Sequence, residues 1–383
     1  MAPLDGLGAS RPTQATPLIT QAASRPAQAI PRLTRAAPRA DQGSPRIALV
    51  GATGAVGTAV LDLIADHALP HRGLRLLASA RSAGRPVTVR GEDQLLLDTA
   101  EFDFTTVDLA LFCTPESVSA RWVPTARAAG VRAVDASAAY RLDPSTPLLG
   151  SGSPSTGPTP VGLAATPGGL TALLAPVLGP VARRWGLRRA VVSGYQSASA
   201  LGLAAPAELQ ESTRAALGDP EAGSPGAEHP GIRPFALLPE EDADGQPGQQ
   251  EAALAAECRR LLGLPALDLV ADCIRVPVLH GQAAALWLDC AEPVDRAELL
   301  ALLGELPGAA VHHGTAPDPT ADAPHDLVQV SRVRAPGDGT ALLWLTGDQL
   351  RLTALNLLRT AGLLPAAPPA QRLRRPDPAR PGP

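Results

Sequence analysis

The chain has 383 residues, 45% of them hydrophobic and 3% aromatic, with a formal net charge of −4 at pH 7. This length allows two domains around a largely aliphatic core. The mildly acidic balance argues against nucleic acid as a partner. No apolar run approaches the ~20 residues that a membrane-spanning helix needs, so we predict no membrane partner. The chain has no lysine, which excludes Schiff-base chemistry.

The four cysteines are widely spaced and form no CxxC pair, a pattern typical of reduced thiols in a cytosolic protein. They are Cys113, Cys258, Cys273 and Cys290. Residues 1–44 lack the apolar region of a secretory signal. Their composition allows a transit peptide, but it favours a disordered extension or a start codon assigned too early. Residues 366–383 are predicted to be a disordered tail. We therefore predict a cytoplasmic protein.

Short β-branched runs alternate with amphipathic stretches in the first half of the chain, which predicts a parallel sheet. The predicted elements are strands at 46–51, 74–79, 108–113 and 131–135, with helices near 55–67 and 117–129. A stretch rich in Pro, Gly and Ser at 144–160 suggests a domain boundary. Residues 45–163 are thus expected to form a Rossmann-type nucleotide-binding domain.

The second half of the chain predicts an α+β domain with a mixed sheet over 164–349. Its predicted elements are helices at 170–184, 204–217 and 250–263, strands at 188–195, 268–279, 283–291, 326–334 and 340–347, and a loop at 219–249. A last helix, 350–363, is expected to pack back on the first domain. The fold class is therefore α/β.

A glycine-rich turn follows the first strand and opens the first helix. Gly51 permits the tight turn, Gly54 lets backbone amides approach a phosphate, and Gly57 allows close contact of helix and strand. The helix N-terminus offers free N–H groups to an anion. The strand–turn–helix context predicts a dinucleotide site, although a glycine turn without a ligand is the alternative.

The end of the second strand indicates which dinucleotide binds. NAD sites usually place an acid there, whereas this strand ends in Ser79, Arg81 and Ser82. An arginine flanked by hydroxyls suits the 2′-phosphate of NADP. We therefore predict NADP as the cofactor, with a solvated surface arginine as the alternative.

Further segments complete a resemblance to the aspartate-semialdehyde dehydrogenase family over roughly residues 46–363. They are Asp135–Pro144, Gly194–Ser199, Arg275–Val278 and Asp348–Arg351. The resemblance implies a homodimer or homotetramer that reduces aspartyl phosphate with NADPH. It implies cofactor contacts at Gly51, Thr53, Gly54, Ala55, Val56, Ser79, Arg81, Ser82, Ser199 and Gln349. It also implies a phosphate-binding Arg141, a substrate-positioning Gln196 and an α-carboxylate clamp at Arg275. The alternative role of Arg141 and Arg275 is a structural salt bridge.

The chain departs from the family pattern where the chemistry would occur. In the family a thiolate attacks the acyl phosphate, a nearby group handles its proton, and hydride reaches the thioester. By position, the cysteine is replaced by Gly169, the histidine by Gln282 and a phosphate-site lysine by Ala253. Glutamine is no general base at neutral pH.

Three places in the sequence offer groups that could substitute for these residues. Cys113 follows a predicted parallel strand and would be a rescuing thiol, although a cysteine there is more often core packing. His280 would share a strand face with Gln282, but about 6–7 Å away, beyond the reach of proton transfer. The pair His312 and His313, with Asp318 or His325, has no recognised metal spacing, so no metal is predicted.

The leading hypothesis is an NADP-binding pseudoenzyme that resembles the cysteine-less Usg-type members of the family. It would bind NADP and an amino-dicarboxylate-like ligand in a regulatory or partner role, as a homo-oligomer or with an active paralogue. The alternative is an active NADP-dependent semialdehyde oxidoreductase of amino-acid biosynthesis with altered chemistry or a substitute thiol.

Overall fold

The computed structural model describes residues 43–153, 162–218, 231–240, 246–313, 326–365 and the short strand 371–372. All of them belong to one compact unit, residues 38–383. The predicted extension at 1–44 and tail at 366–383 lie almost entirely outside these ranges, as does much of the predicted loop at 219–249. No helix within the described ranges is long and apolar enough to cross a membrane.

The strands of the described residues fall into three sheets. They are β1 (Arg46–Val50), β2 (Gly73–Ala78), β3 (Pro86–Val89), β4 (Glu92–Leu95), β5 (Leu97–Asp98), β6 (Leu109–Phe112), β7 (Arg132–Asp135), β8 (Leu163–Ala165), β9 (Leu187–Gln196), β10 (Leu238–Pro239), β11 (Asp268–Arg275), β12 (Gln282–Cys290), β13 (Ala309–Val311), β14 (Val328–Arg334), β15 (Thr340–Gly347) and β16 (Gln371–Arg372).

The same residues form seven α-helices and two short 3-10 helices. The α-helices are α1 (Ala55–Asp66), α2 (Glu116–Ala128), α3 (Gly169–Trp185), α4 (Ala205–Ala216), α5 (Gln249–Leu262), α6 (Arg296–Leu303) and α7 (Gln349–Thr360). The 3-10 helices are Phe104–Thr106 and Ala198–Leu201.

The first sheet is parallel throughout and has the strand order β5-β2-β1-β6-β7-β8. The chain moves outward from β1 to β2 on one side and then from β6 to β8 on the other. This reversal creates a crevice at the carboxyl ends of β1 and β6, where such sheets bind ligands. The alternation in the sequence had predicted this sheet, and the structure confirms it.

The second sheet is mixed, with the order β10-β11-β9-β12-β15-β14-β13-β16. Its register sets Arg275 beside Gln196, Gln196 beside Gln282, and Gln282 beside Gly347 across four strands. Polar residues distant in sequence therefore meet at the ends of neighbouring strands, on one side of the sheet. The predicted Rossmann-type sheet plus a mixed sheet is the observed fold class.

Helices α3 and α7 link the two sheets. Helix α3 packs against β9, β12 and β15 and against α5, while α7 packs on α1, α3 and β7. Asp348 caps α7 by accepting from the amides of Leu350 and Arg351. Both helices bury most of their residues, and their apolar side chains join one aliphatic core shared with the two sheets.

Two expectations about the elements need correction. The strand predicted for 268–279 ends at Arg275, because the chain turns through Gly281 at φ +84° before β12 begins. His280 therefore lies in a bend, exposed, and not on an extended strand with Gln282. Helix α6, the hairpin β3–β4 and the short strands β5, β8, β10, β13 and β16 were not predicted. The other predicted helices and strands match the observed ones to within three residues at each end.

Candidate functional site

The glycine turn after β1 is fixed by close backbone contacts. Gly51 has φ +84°, and a Cβ there would lie 2.5 Å from the carbonyl oxygen of Cys113. The amides of Gly51 and Ala52 donate to the carbonyl of Leu77 on β2, at 2.9 and 3.1 Å. The turn is thereby held between the ends of β2 and β6, at the crevice between β1 and β6.

Helix α1 starts directly in that crevice. A Cβ on Gly57 would lie 2.1 Å from the carbonyl oxygen of Gly51, so only glycine allows this approach. The first N–H groups of a helix have no intrahelical acceptor, and Ala55 and Val56 are the first residues of α1. Together with the loop residue Thr53, they present backbone donors suited to a pyrophosphate.

The predicted 2′-phosphate residues follow β2, the neighbour of β1. The amides of Ser82 and Ala83 donate to the carbonyl of Ser79, at 2.8 and 3.1 Å, which closes a tight turn. Arg81 lies in this turn and is exposed. No carboxylate within the described ranges pairs with its guanidinium. The turn thus presents a free cation at the carboxyl end of β2.

A cavity of about 240 Å³ opens beside the glycine turn and collects most of the predicted substrate residues. Its lining is Val56, Ala136, Arg141, Gly169, Leu170, Gln196, Ser197, Ala200, Leu201, Gln250, Arg275, Gln282, Gln349, Leu350 and Thr353. Residues predicted from five separate segments therefore meet here. Val56 belongs to the cofactor loop, so a ligand in the cavity would adjoin a dinucleotide in the crevice.

Gly169 and Gln282, two of the three positions expected from the sequence to depart from the family pattern, touch each other. Gln282 donates from Nε2 to the carbonyl oxygen of Gly169, at 2.7 Å. A Cβ on Gly169 would lie 3.0 Å from Cβ of Gln349 and 3.4 Å from Oε1 of Gln282. The floor of the cavity is thus a glycine backbone and a neutral amide, and neither group supplies a nucleophile or a titratable proton.

The guanidinium of Arg141 contacts three oxygen atoms of the protein. It donates to Thr166 O (3.0 Å) and Ala136 O (2.5 Å), and its Nη1 lies 3.2 Å from Oε1 of Glu257. Glu257 also accepts from the Gly168 amide and the Thr171 hydroxyl, each at 2.8 Å. A buried carboxylate therefore occupies the N-terminus of α3, where helix geometry favours an anion. The alternative structural role of Arg141, ion pairing, is observed.

Two further polar side chains, Gln349 and Ser197, line the cavity, and Ser199 connects them. Gln349, with its amide oriented to satisfy both ends, donates to Gly281 O at 3.2 Å and accepts from the Ser199 hydroxyl at 2.6 Å. Ser199 lies 3.0 Å from the hydroxyl of Ser197. All three side chains are buried. This network fixes the wall formed by the start of α7 and the 3-10 helix at Ala198–Leu201.

The sequence predicted neither Gln250 as a residue of the site nor Glu257 as the ion-pair partner of Arg141. Gln250 lines the cavity and accepts from Nε2 of Gln196 at 2.9 Å. Glu257 lies on the face of α5 that carries the buried Leu254, Cys258 and Leu261. An acidic residue on an apolar helix face indicates that its carboxylate is buried and paired with a cation. Here the cation is an arginine from a distant part of the chain.

All four cysteines are free thiols and none lines the cavity. Burial raises the pKa of the Cys113 thiol, and it raises the pKa of Cys258 and Cys273 to about 12 and of Cys290 to about 11. Cys113 does follow β6, as predicted, and contacts the glycine turn. At neutral pH these groups remain protonated, so none is a ready nucleophile.

The histidine pair makes no metal centre within the described ranges. His312 bonds to Oε1 of Gln329 through Nε2 at 2.6 Å, while Asp318 and His325 lie outside these ranges. Where the chain is described, one trio of possible ligands is close enough for an ion, Glu240, Glu251 and Cys273. The two carboxylates already accept from backbone amides of α5 and β11.

The Glu257–Arg141 pair leads to a stability prediction. Replacing Glu257 with Ala would leave the largely buried guanidinium of Arg141 without a carboxylate partner, in contact only with two backbone carbonyls. This loss should lower the free energy of unfolding by about 3–5 kcal/mol. Glu298→Ala removes the exposed pair with Arg184 and serves as control, with an expected cost of about 0–1 kcal/mol. Urea denaturation measures both. Equal effects of the two substitutions would contradict the role assigned to Glu257.

Comparison with known families gives matches to both halves of the chain. The semialdehyde dehydrogenase NAD-binding domain matches residues 46–176, and the semialdehyde dehydrogenase dimerisation domain matches residues 178–352. The first match contains the glycine turn and the start of α3. The second contains the mixed sheet apart from β16, and the start of α7.

Individual relatives agree with these matches. The aspartate-semialdehyde dehydrogenases of Prochlorococcus marinus and Legionella pneumophila are 35% and 34% identical, over 83% of this chain and 95% and 94% of their own lengths. A crystal structure of aspartate-semialdehyde dehydrogenase II from Vibrio cholerae, complexed with ASA, is 29% identical with a TM-score of 0.76, covering 84% of this chain and 98% of that one. The chain belongs to the aspartate-semialdehyde dehydrogenase family.

Proposed function

We propose that this protein binds NADP in the crevice at the glycine turn and a small dicarboxylate in the adjoining cavity, and that it does not form the family's thioester. The observation that carries the proposal is the contact between Gln282 and the Gly169 backbone, at 2.7 Å. These two residues stand where the family resemblance requires a thiol and a proton-transfer group.

The chemistry explains why this pair of changes matters. Reduction of an acyl phosphate through a thioester needs an attacking thiolate, and loss of a covalent nucleophile typically lowers the rate by many orders of magnitude. A glycine offers no side chain, and an amide does not titrate near neutral pH. The site keeps groups that can bind a ligand, namely two arginines, several amide donors and the adjoining cofactor loop.

A substitute thiol has little support. Cys113 adjoins the glycine turn but does not line the cavity, and burial raises its pKa. The free state of all four cysteines fits the predicted cytoplasmic location. The proposal therefore includes no role for Cys113 in catalysis.

The test is the family reaction run with purified protein. Phosphate-dependent reduction of NADP by aspartate semialdehyde should be undetectable, while calorimetry should show one NADP bound per chain. Cys113→Ser should leave both results unchanged. Turnover that disappears in Cys113→Ser would replace the proposal with a rescued enzyme, and turnover that persists would require a route that does not use Cys113.

The preference for NADP depends on Arg81 in this proposal. Its exposed guanidinium sits in the turn after β2, where the adenosine ribose of a bound dinucleotide is expected. Hydrogen bonds to a charged partner contribute about 1.5–3 kcal/mol, which corresponds to roughly 10- to 100-fold in affinity. Arg81→Ala should weaken NADP binding by that factor and leave NAD binding unchanged.

Arg75→Ala is the matched control, since Arg75 is exposed on β2 but lies before the turn. Calorimetric titration with each dinucleotide measures both variants. Equal losses for NADP and NAD in Arg81→Ala would remove Arg81 from the recognition of the 2′-phosphate.

A second candidate function is direct hydride transfer to a small carbonyl or from a small alcohol. The observation that favours it is the place of the cavity, which Val56 of the cofactor loop lines together with Arg275. Hydride transfer needs no thiol, only a carbonyl carbon held next to the nicotinamide. A panel of semialdehydes and hydroxy acids, assayed with both redox states of NADP, distinguishes this activity from simple binding.

The proposal includes a homodimer formed by the open face of the mixed sheet. Val191, Val270 and Trp287 alternate with buried residues on β9, β11 and β12, yet are 37%, 46% and 44% exposed. Their strands lie side by side in the sheet, so the three side chains form one apolar patch, which supports burial against a second copy. The same face would serve a heterodimer with an active paralogue.

Trp287→Asp should weaken this dimer at least ~10-fold, because a central tryptophan commonly dominates an interface. Leu95→Asp is the control, since Leu95 is 62% exposed on the separate hairpin β3–β4. Sedimentation of dilute samples measures both. A Trp287→Asp protein that sediments like the wild type would place the contact between copies elsewhere.

A further inference from the structure

Among the described residues that line the cavity, positive charge exceeds negative charge. The guanidinium of Arg275 packs against the backbone at Gly231, where a Cβ would lie 2.4 Å from Nη1. No carboxylate in the described part of the chain pairs with it. The other arginine of the lining, Arg141, has its charge matched by Glu257. The described lining contains neither Asp nor Glu, so the cavity carries a net positive charge.

The amide of Gln250 adds a donor to this positive site. Its Oε1 accepts from Nε2 of Gln196 at 2.9 Å, which leaves the Gln250 NH₂ without a hydrogen-bond partner among the described groups. An NH₂ group can only donate. It therefore matches a carboxylate, carbonyl or hydroxyl oxygen, and it does not match an ammonium, which is also only a donor.

The acids nearest to Gln250 are already engaged. Glu251 accepts from the amides of Gly248 (3.0 Å) and Cys273 (2.8 Å). Glu240 accepts from the amides of Gln250 and Glu251, at 3.0 and 3.2 Å. Neither carboxylate lines the cavity. Both hold the start of α5 in place and face backbone amides outside the lining of the cavity.

We propose that the cavity selects a small dicarboxylate, or a carboxylated aldehyde, that has no free ammonium group. This inference rests on the proposed function, because it concerns the same cavity beside the cofactor. Arg275 and the amide donors attract the carboxylates. An ammonium would lose its water, gain no anionic partner and experience the positive charge of Arg275. The ammonium is thus the part of an amino-dicarboxylate that this site does not match.

Succinate and L-aspartate provide a direct test, since they differ only in the amino group. Calorimetric titration into NADP-saturated protein should give succinate an affinity at least ~10-fold higher than L-aspartate, because a like-charge contact disfavours the wrong ligand strongly. Gln250→Glu places a carboxylate in the cavity and should reverse this order. Gln249→Glu adds the same charge at an exposed neighbouring position outside the lining, and should keep the wild-type order.

The outcomes separate this inference from the proposed function. Equal or tighter binding of L-aspartate by the wild type overturns the inference, and so does failure of both ligands to bind. An unchanged order in Gln250→Glu also overturns it, provided that thermal unfolding shows the variant folded. The NADP titration, run on the same samples, reports independently on the cofactor site. Tighter binding of L-aspartate, which is also a small dicarboxylate, contradicts only the inference, whereas NADP binding without either dicarboxylate contradicts the dicarboxylate part of the proposed function as well.

Discussion

The buried carboxylate of Glu257 is the interaction on which the site depends. It connects three elements: α5, which carries it; the N-terminus of α3, whose Gly168 amide it accepts from; and the loop after β7, whose Arg141 it pairs with. The side chain is 5% exposed, so these contacts act in a low-dielectric interior where partners are costly to lose. They fix the start of α3 and, with it, Gly169 at the floor of the cavity.

Around that fixed point, the two sheets contribute different halves of the site. The parallel sheet supplies the glycine turn and its crevice, because its strand order reverses between β1 and β6. The mixed sheet supplies the row of Arg275, Gln196 and Gln282 through its register. The cofactor half keeps the features that dinucleotide binding requires. The substrate half has the charge of Arg275 and several amides, and no cysteine is among the described residues that line the cavity, which supports the proposal of binding without a thioester.

The cofactor half of the site was predictable, because the glycine spacing and helix periodicity of the sequence correspond directly to elements of the fold. The glycine spacing from Gly51 to Gly57 and the periodicity of α1 predicted the turn, and the structure shows why a Cβ at Gly57 cannot fit. The bend at His280 was not predictable from β-patterning, since Gly281 reverses the chain inside an apolar run. The Glu257–Arg141 pair spans 116 residues of sequence, and only tertiary packing brings its members together. The sequence could not predict a role for Gln250, because that role depends on which of its side-chain atoms has no hydrogen-bond partner in the folded protein.

The central claim is that no covalent acyl-enzyme forms. Intact-protein mass spectrometry tests it most directly, on protein mixed with NADP and aspartate semialdehyde without phosphate, the condition in which a thioester would accumulate. The account predicts an unchanged protein mass after the noncovalent ligands are removed. A mass increase equal to one aspartyl group, located by peptide mapping to any cysteine, would contradict the account.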